Sequence, residues 1–117
     1  MAIVKRFRMD ATTLARSAAE LHAGGHLREA EAQYLAALEA SPKGRGASIA
    51  TVRYNLGVLY LSEHRPREAR EQLRLGLRAW RPGGIPRIEL LFYLADALFQ
   101  DGRKSAAFLG RIHLTAC

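Results

Sequence analysis

The chain has 117 residues, of which 49% are hydrophobic and 25% are charged, and its formal net charge is +7. This length and composition indicate one globular domain. No apolar run approaches the roughly 20 residues that a membrane helix needs, so no membrane span is expected. The single cysteine, Cys117, excludes an internal disulfide and a multi-thiolate metal site.

Residues 1–10 form a basic arm that lacks the apolar stretch and cleavage site of a secretory signal, so we expect a cytoplasmic protein. Residues 11–117 follow as a single domain, and Asp10 is placed to cap the first helix. Apolar positions then recur every three or four residues, which predicts helices and no strand. The predicted helices are about 11–23, 27–40, 47–63, 66–80, 87–100 and 103–115.

Glycine and proline mark the breaks between these segments. Pro66 stands where the first turn of a helix tolerates proline, because the missing N–H would be unpaired there. In the fifth segment the apolar positions that define the expected core face are Ile88, Leu91, Leu94, Ala95 and Leu98. The predicted breaks are Gly24-Gly25, Pro42 to Gly46, Arg81 to Pro86, and a last turn at Asp101-Gly102.

The helices pair into three hairpins whose turns align at Ala30, Ala69 and Ala107, which are 39 and 38 residues apart. A small alanine at this position lets two helices cross closely. The pattern resembles the tetratricopeptide repeat (TPR), with two good copies and a weaker third. The matching residues are Leu21, Gly25, Ala30, Tyr34, Ala37, Leu38 and Pro42, then Leu56, Gly57, Tyr60, Ala69, Leu77 and Pro82, then Leu94, Ala95, Gly102 and Ala107.

The resemblance implies an all-α fold: a right-handed superhelical stack of helix-turn-helix hairpins with about six helices. The repeats would be about 11–46, 47–85 and 86–117. Two departures stand out, because the family period is 34 residues and because Arg111 occupies the place of an aromatic residue. The extra residues fall between hairpins.

The resemblance further implies a binding scaffold and not an enzyme. In the family, the first helix of each hairpin lines a concave groove that holds a peptide or helix of a partner protein. An ordinary core position remains the alternative for Tyr54, Phe92 and Tyr93. Carried over position by position, the groove residues are Thr12, Ala15, Ala19, His22, Thr51, Tyr54, Asn55, Val58, Leu61, Glu89, Phe92, Tyr93, Asp96 and Phe99.

A row of arginines gives a second candidate surface along the fourth helix. Guanidinium groups at three- to four-residue spacing suit phosphates or acidic peptides, so binding of an anion or a nucleic acid is one alternative function. The other interpretation is a solvated outer face that Glu68 and Glu71 partly neutralise. The arginines are Arg67, Arg70, Arg74, Arg78 and Arg81.

The ends of the stack give a third candidate, because repeat proteins usually close with a polar capping helix. Phe108, Leu109 and Ile112 have no following helix to cover them. A self-assembling structural or adaptor subunit, a homo-oligomer through these uncapped ends, is therefore an alternative function. No catalytic constellation, metal site or cofactor is expected, because Gly24 and Gly25 separate His22 from His26 and no phosphate loop is present.

Overall fold

The computed structural model describes residues 10–41 and 48–116, with the backbone alone for Ser48 and residues 104–116. These residues form five helices and no strand, so the predicted all-α class is confirmed for this part of the chain. The basic arm before Asp10, the loop 42–47 and Cys117 lie outside the described residues. The helices are α1 (Ala11–Ala23), α2 (Leu27–Ala40), α3 (Ser48–Ser62), α4 (Pro66–Ala79) and α5 (Arg87–Ala116).

The start of α1 is capped as predicted. Asp10 is extended and its carboxylate Oδ1 accepts a hydrogen bond from the amide of Thr13 at 2.8 Å. That bond satisfies one of the amides that have no partner inside the helix. It also holds the pKa of the Asp10 carboxyl below its usual value, with a smaller contribution from the charge of Arg16.

Two turns of the same geometry fold the first four helices into two hairpins. At the end of α1, Gly25 has φ 84° and the amide of His26 donates to the carbonyl of Leu21 at 2.8 Å. At the end of α3, His64 has φ 59° and the amide of Arg65 donates to the carbonyl of Tyr60 at 2.8 Å. A left-handed residue followed by this backward bond is the Schellman stop of a helix.

Small residues let the helices of each hairpin approach closely. Ala30 and Ala69 are fully buried, as expected for residues at a close crossing. In the second hairpin a Cβ added at Gly57 would lie 2.6 Å from Leu73 Cγ, well inside normal contact. The crossing of α3 over α4 therefore depends on the absence of a side chain at Gly57.

The two hairpins are joined to each other around Glu31 of α2. The Tyr60 hydroxyl donates to Glu31 Oε2 at 2.9 Å, and Arg65 Nη1 lies 3.2 Å from Glu31 Oε1. The guanidinium carbon of Arg65 lies 4.4 Å from the centroid of the Tyr60 ring, and the same guanidinium pairs with Glu63 and Glu68. This network ties the turn of the second hairpin to the second helix of the first.

Helix α5 packs antiparallel to α4 and also contacts α3. A Cβ at Gly76, late in α4, would lie 2.9 Å from Leu90 Cδ2, early in α5. In the connecting loop, Trp80 Nε1 donates to the carbonyl of Ile85 at 2.7 Å. The predicted stop and restart between residues 81 and 86 is confirmed, since α4 ends at Ala79 and α5 begins at Arg87.

The predicted turn at Asp101-Gly102 is wrong, and with it the sixth helix and the third hairpin. Helix α5 runs without interruption for 30 residues, from Arg87 to Ala116. Unlike Gly25, Gly102 does not take a left-handed φ, so the chain has no stop at this point. A glycine weakens a helix interior by about 1 kcal/mol but does not end it. In addition, Arg67 and Arg70 of α4 bind the carboxylate of Asp101.

Candidate protein-binding surface

The predicted groove residues of the first hairpin form a small-residue surface on α1. Their neighbour Ala18 is buried in the core. The His22 ring meets the Tyr34 ring edge-on at a centroid distance of 6.2 Å, and its Nδ1 lies 3.4 Å from the Tyr34 hydroxyl. The His22 side chain therefore makes its contacts with Tyr34 inside its own hairpin. Of the four residues, Thr12 and Ala19 are exposed, whereas Ala15 and His22 are half-buried.

The predicted groove residues of α3 divide between surface and core. Leu61 is only 7% exposed and belongs to the core, so its place on an open groove was predicted wrongly. The reason is that α3 is apolar on most of its circumference, because the other helices surround it. Contacts reach it from α1, α2, α4 and α5. The other four, Thr51, Tyr54, Asn55 and Val58, are half-buried.

The predicted residues of α5 meet Tyr54 of α3 in a cluster of three rings. The Tyr54 and Tyr93 rings pack edge-on at 5.4 Å between centroids, and Phe92 packs edge-on against Tyr93 at 5.1 Å. The Tyr54 hydroxyl donates to Glu89 Oε2 at 3.2 Å. We call Tyr54, Glu89, Phe92 and Tyr93 the aromatic face. The two tyrosines are half-buried, and Phe92 is 63% exposed at the outer end of the cluster.

The environment of Tyr54 keeps its hydroxyl protonated. Burial raises the pKa of Tyr54 to about 12, and the neighbouring Tyr93 and the negative charge of Glu89 add to the effect. Asp96, one turn from Phe92, accepts from Gln100 Nε2 at 3.4 Å. Glu89 and Asp96 are both half-buried and border the exposed ring of Phe92 with negative charge. The aromatic rings and the two carboxylates thus lie together on α3 and α5.

Phe92 and Phe99, which were both predicted as groove residues, belong to a larger apolar surface on α5 whose aliphatic side chains were not identified as a binding surface in the sequence. Of the five residues that were predicted to define its core face, Leu94 is half-buried against the core, whereas the other four are exposed and were predicted wrongly. Leu90 and Ala97 are fully buried instead. Helix α5 is apolar almost all round, so periodicity could not decide which side packs on α3 and α4. The exposed side chains are Ile88 (69%), Leu91 (41%), Phe92 (63%), Leu98 (49%) and Phe99 (63%), with exposed Ala95 among them.

The arginine row is partly engaged in ion pairs. Arg67 Nε lies 3.4 Å from Asp101 Oδ1, and Arg70 Nη1 lies 3.3 Å from Asp101 Oδ2. Arg81 follows the end of α4, so its predicted place on the same helix is wrong. Arg74 and Arg78 are exposed and border a shallow concavity of about 420 Å³, where Glu68 and Glu71 also lie. The surface therefore carries charge of both signs.

No helix of the described residues is long and apolar enough to cross a membrane. Within the same part of the chain, no group of three or more histidine, cysteine, aspartate or glutamate side chains is arranged to hold a metal ion.

Comparison with known proteins gives no assignment. No protein-family model matches the sequence, and neither the curated proteins nor the solved structures contain a match to it. The resemblance to the TPR therefore remains a prediction that rests on the aligned turns and anchor alanines.

Proposed function

We propose that this chain is a protein-interaction module that binds a helix or peptide of a partner protein on the aromatic face and on Phe99 two turns further along α5, with Phe92 and Phe99 as the anchors. One observation carries the proposal. Two phenylalanines on one helix face are each 63% exposed, and one of them is backed by a fixed cluster of tyrosine rings. Large aromatic side chains of this kind supply most of the binding energy where they enter a partner's pocket.

The spacing of the two phenylalanines suits an elongated apolar ligand. Phe99 follows Phe92 by seven positions, which places them about 10.5 Å apart along the axis of α5, or two helical turns. A ligand helix lying along α5 presents apolar side chains at the same interval. Arg103 already lies with its guanidinium 5.9 Å from the Phe99 ring centroid, so that ring accepts a cation over its face.

The charge beside the aromatic face favours a ligand with a basic residue. Glu89 and Asp96 border Phe92, and no arginine or lysine pairs with either of them among the described residues. A lysine or arginine on the ligand would find both carboxylates within one helical turn of Phe92. Charges at the rim of an apolar contact set orientation and specificity more than affinity.

The wider fold proposed with this function is a TPR-like stack. The two hairpins contact each other through α2 with α3, α5 packs on α4, and α3 contacts both α1 and α5. This order of contacts is what a stack of helical hairpins requires. The groove on the side of α1, α3 and α5 would then extend the aromatic face toward the small residues of α1.

The experiment is selection of binders from a random peptide library displayed on phage, with the full chain as bait. We expect the selected peptides to be amphipathic, with apolar residues three, four or seven positions apart and at least one lysine or arginine. Phe92→Ala/Phe99→Ala should weaken their binding at least tenfold, which corresponds to about 1.4 kcal/mol. Leu35→Ala, at an exposed leucine on α2, is the matched control. Equal binding to the double variant and the control would overturn the proposal.

A further inference from the structure

A row of aliphatic side chains on α5 lies uncovered beside the aromatic face. We call Ile88, Leu91, Ala95 and Leu98 the aliphatic row; all four are exposed. They recur at intervals of three and four residues, as in the seam between two paired helices. Adjoining exposed apolar side chains along one helix are typical of an interface.

The sequence itself indicates which segment covers this row. In a helical hairpin with its turn at 101–102, residues 103–115 would lie antiparallel on residues 88–100. The turn is absent, because Gly102 continues the helix, whereas Gly25 and His64 turn the chain back at the corresponding points. Residues 103–116 therefore do not return to the aliphatic row of their own chain.

The direction of α5 carries this segment away from its own hairpins. Asp101 lies against Arg67 and Arg70 in the first turns of α4, and α5 runs antiparallel to α4. The backbone after Asp101 thus passes the N-terminal end of α4 and continues as helix to Ala116. At 1.5 Å per residue, the 14 residues 103–116 extend about 20 Å further.

The charges of the two halves of α5 are complementary. Residues 87–101 carry Glu89, Asp96 and Asp101 against a single Arg87, whereas residues 103–116 carry Arg103, Lys104 and Arg111 and no acidic residue. Antiparallel pairing of two such helices brings the acidic half of one beside the basic half of the other. Parallel pairing would place like charges together.

We propose that the occupant of the aliphatic row is residues 103–116 of a second copy of this chain. Two chains exchange these segments reciprocally, so that each one covers the row of the other in the place that the missing third hairpin would have filled. Such a contact is two-fold symmetric and closes on itself, which gives a dimer and not a fibre. The aliphatic row adjoins Phe92 and Phe99 on α5, but the dimer is argued from the exposure of Ile88, Leu91, Ala95 and Leu98 and from the charges of α5, not from ligand binding at the two phenylalanines.

The first experiment is sedimentation equilibrium of the full chain over a wide concentration range. Wild type should be a dimer, and Leu91→Asp/Leu98→Asp should raise the dissociation constant at least tenfold, because it puts charge in the buried row. Leu35→Asp is the matched control, since Leu35 and Leu91 are both 41% exposed on helix surfaces. Circular dichroism confirms that each variant is folded. A wild-type monomer at every concentration, or equal loss with the control, would overturn the proposal.

A second experiment separates segment exchange from a simple contact between two α5 surfaces. A short glycine insertion after Asp101 supplies the missing turn and lets residues 103–116 fold back on their own chain. Exchange then predicts a compact monomer with the helix content of wild type, because lengthening the hinge removes the reason for exchange. The same insertion after Gly83, in the loop before α5, should leave the dimer intact. If the insertion after Asp101 leaves the dimer intact as well, the exchange is refuted.

Discussion

The Tyr54 hydroxyl donates a hydrogen bond to Glu89 Oε2 at 3.2 Å, and this bond joins α3 to the first turn of α5. The two residues are 35 positions apart in the chain. Their contact fixes the ring of Tyr54 against Tyr93 and so sets the position of the exposed Phe92 ring. The hydrogen bond between Tyr54 and Glu89 thus holds the rings of the aromatic face in position.

The free energy of unfolding should fall as the pH rises from about 10 to about 12, because burial and nearby negative charge raise the pKa of Tyr54 to about 12. In the unfolded chain this phenol has a pKa near 10.0, so it loses its proton there first. Its stabilising effect is complete below pH 10 and is lost as the pH approaches 12. The pKa of Tyr60 is raised to about 12 as well, chiefly by burial.

Urea denaturation at a series of pH values measures this slope. Tyr54→Phe keeps the ring and should remove part of the slope, and Tyr60→Phe should remove another part. A free energy of unfolding that is flat across this pH range in wild type would contradict the assigned protonation of both tyrosines.

Gly57→Ala should lower the free energy of unfolding by about 1–3 kcal/mol, the usual cost of overpacking a core. The added Cβ would lie 2.6 Å from Leu73 Cγ, so α3 and α4 would have to separate or Leu73 would have to change rotamer. Thermal or urea denaturation measures the effect. Combining the change with Leu73→Val, which removes atoms at the contact, should cost less than the sum of the two single changes. Strict additivity would show that Gly57 is not at the closest approach.

Gly25→Ala should destabilise the chain by about 1 kcal/mol. Gly25 has φ 84° at the end of α1, and a side chain in the left-handed region costs roughly 1–2 kcal/mol. The smaller conformational freedom of alanine in the unfolded chain offsets part of this loss. Chemical denaturation measures the change, and a variant as stable as wild type would contradict the left-handed conformation of Gly25.

Gly102→Ala should stabilise the chain by about 1 kcal/mol, since Gly102 lies inside a continuous helix and an added Cβ would meet nothing within 4 Å. A turn at this point with a left-handed Gly102 would give the reverse result, as at Gly25. The measurement is the midpoint of urea unfolding together with the helical signal in circular dichroism. If Gly102→Ala were less stable and less helical than wild type, the predicted turn at Asp101-Gly102 and the separate sixth helix would be supported instead.

The sequence was sufficient to locate the first four helices because their ends carry residues with an unambiguous backbone effect. Gly25 supplies the left-handed stop of α1, and Pro66 supplies a helix start. The candidate site residues Tyr54 and Phe92 were predicted from the resemblance to the TPR, whose groove positions were carried over without regard to which face of each helix is buried.

The fifth helix shows where such reasoning fails. Asp101-Gly102 has the composition of a turn, yet Asp101 is bound to Arg67 and Arg70, which are 34 and 31 positions away. Contacts at that separation leave no local signal. The burial of Leu90 in place of Leu91 likewise depends on which side of a uniformly apolar helix meets α4, and that is a tertiary property.

The hydrogen bond from the Trp80 indole to the carbonyl of Ile85 places the single tryptophan of the chain at the joint between α4 and α5. Fluorescence excited selectively at tryptophan, and not at the four tyrosines, therefore reports on this joint. If α5 separates from the first two hairpins before they unfold, the emission of Trp80 changes while the far-ultraviolet helical signal is still intact. Comparing the emission of Trp80 with the helical signal thus shows whether α5 and the hairpins unfold as a single cooperative unit.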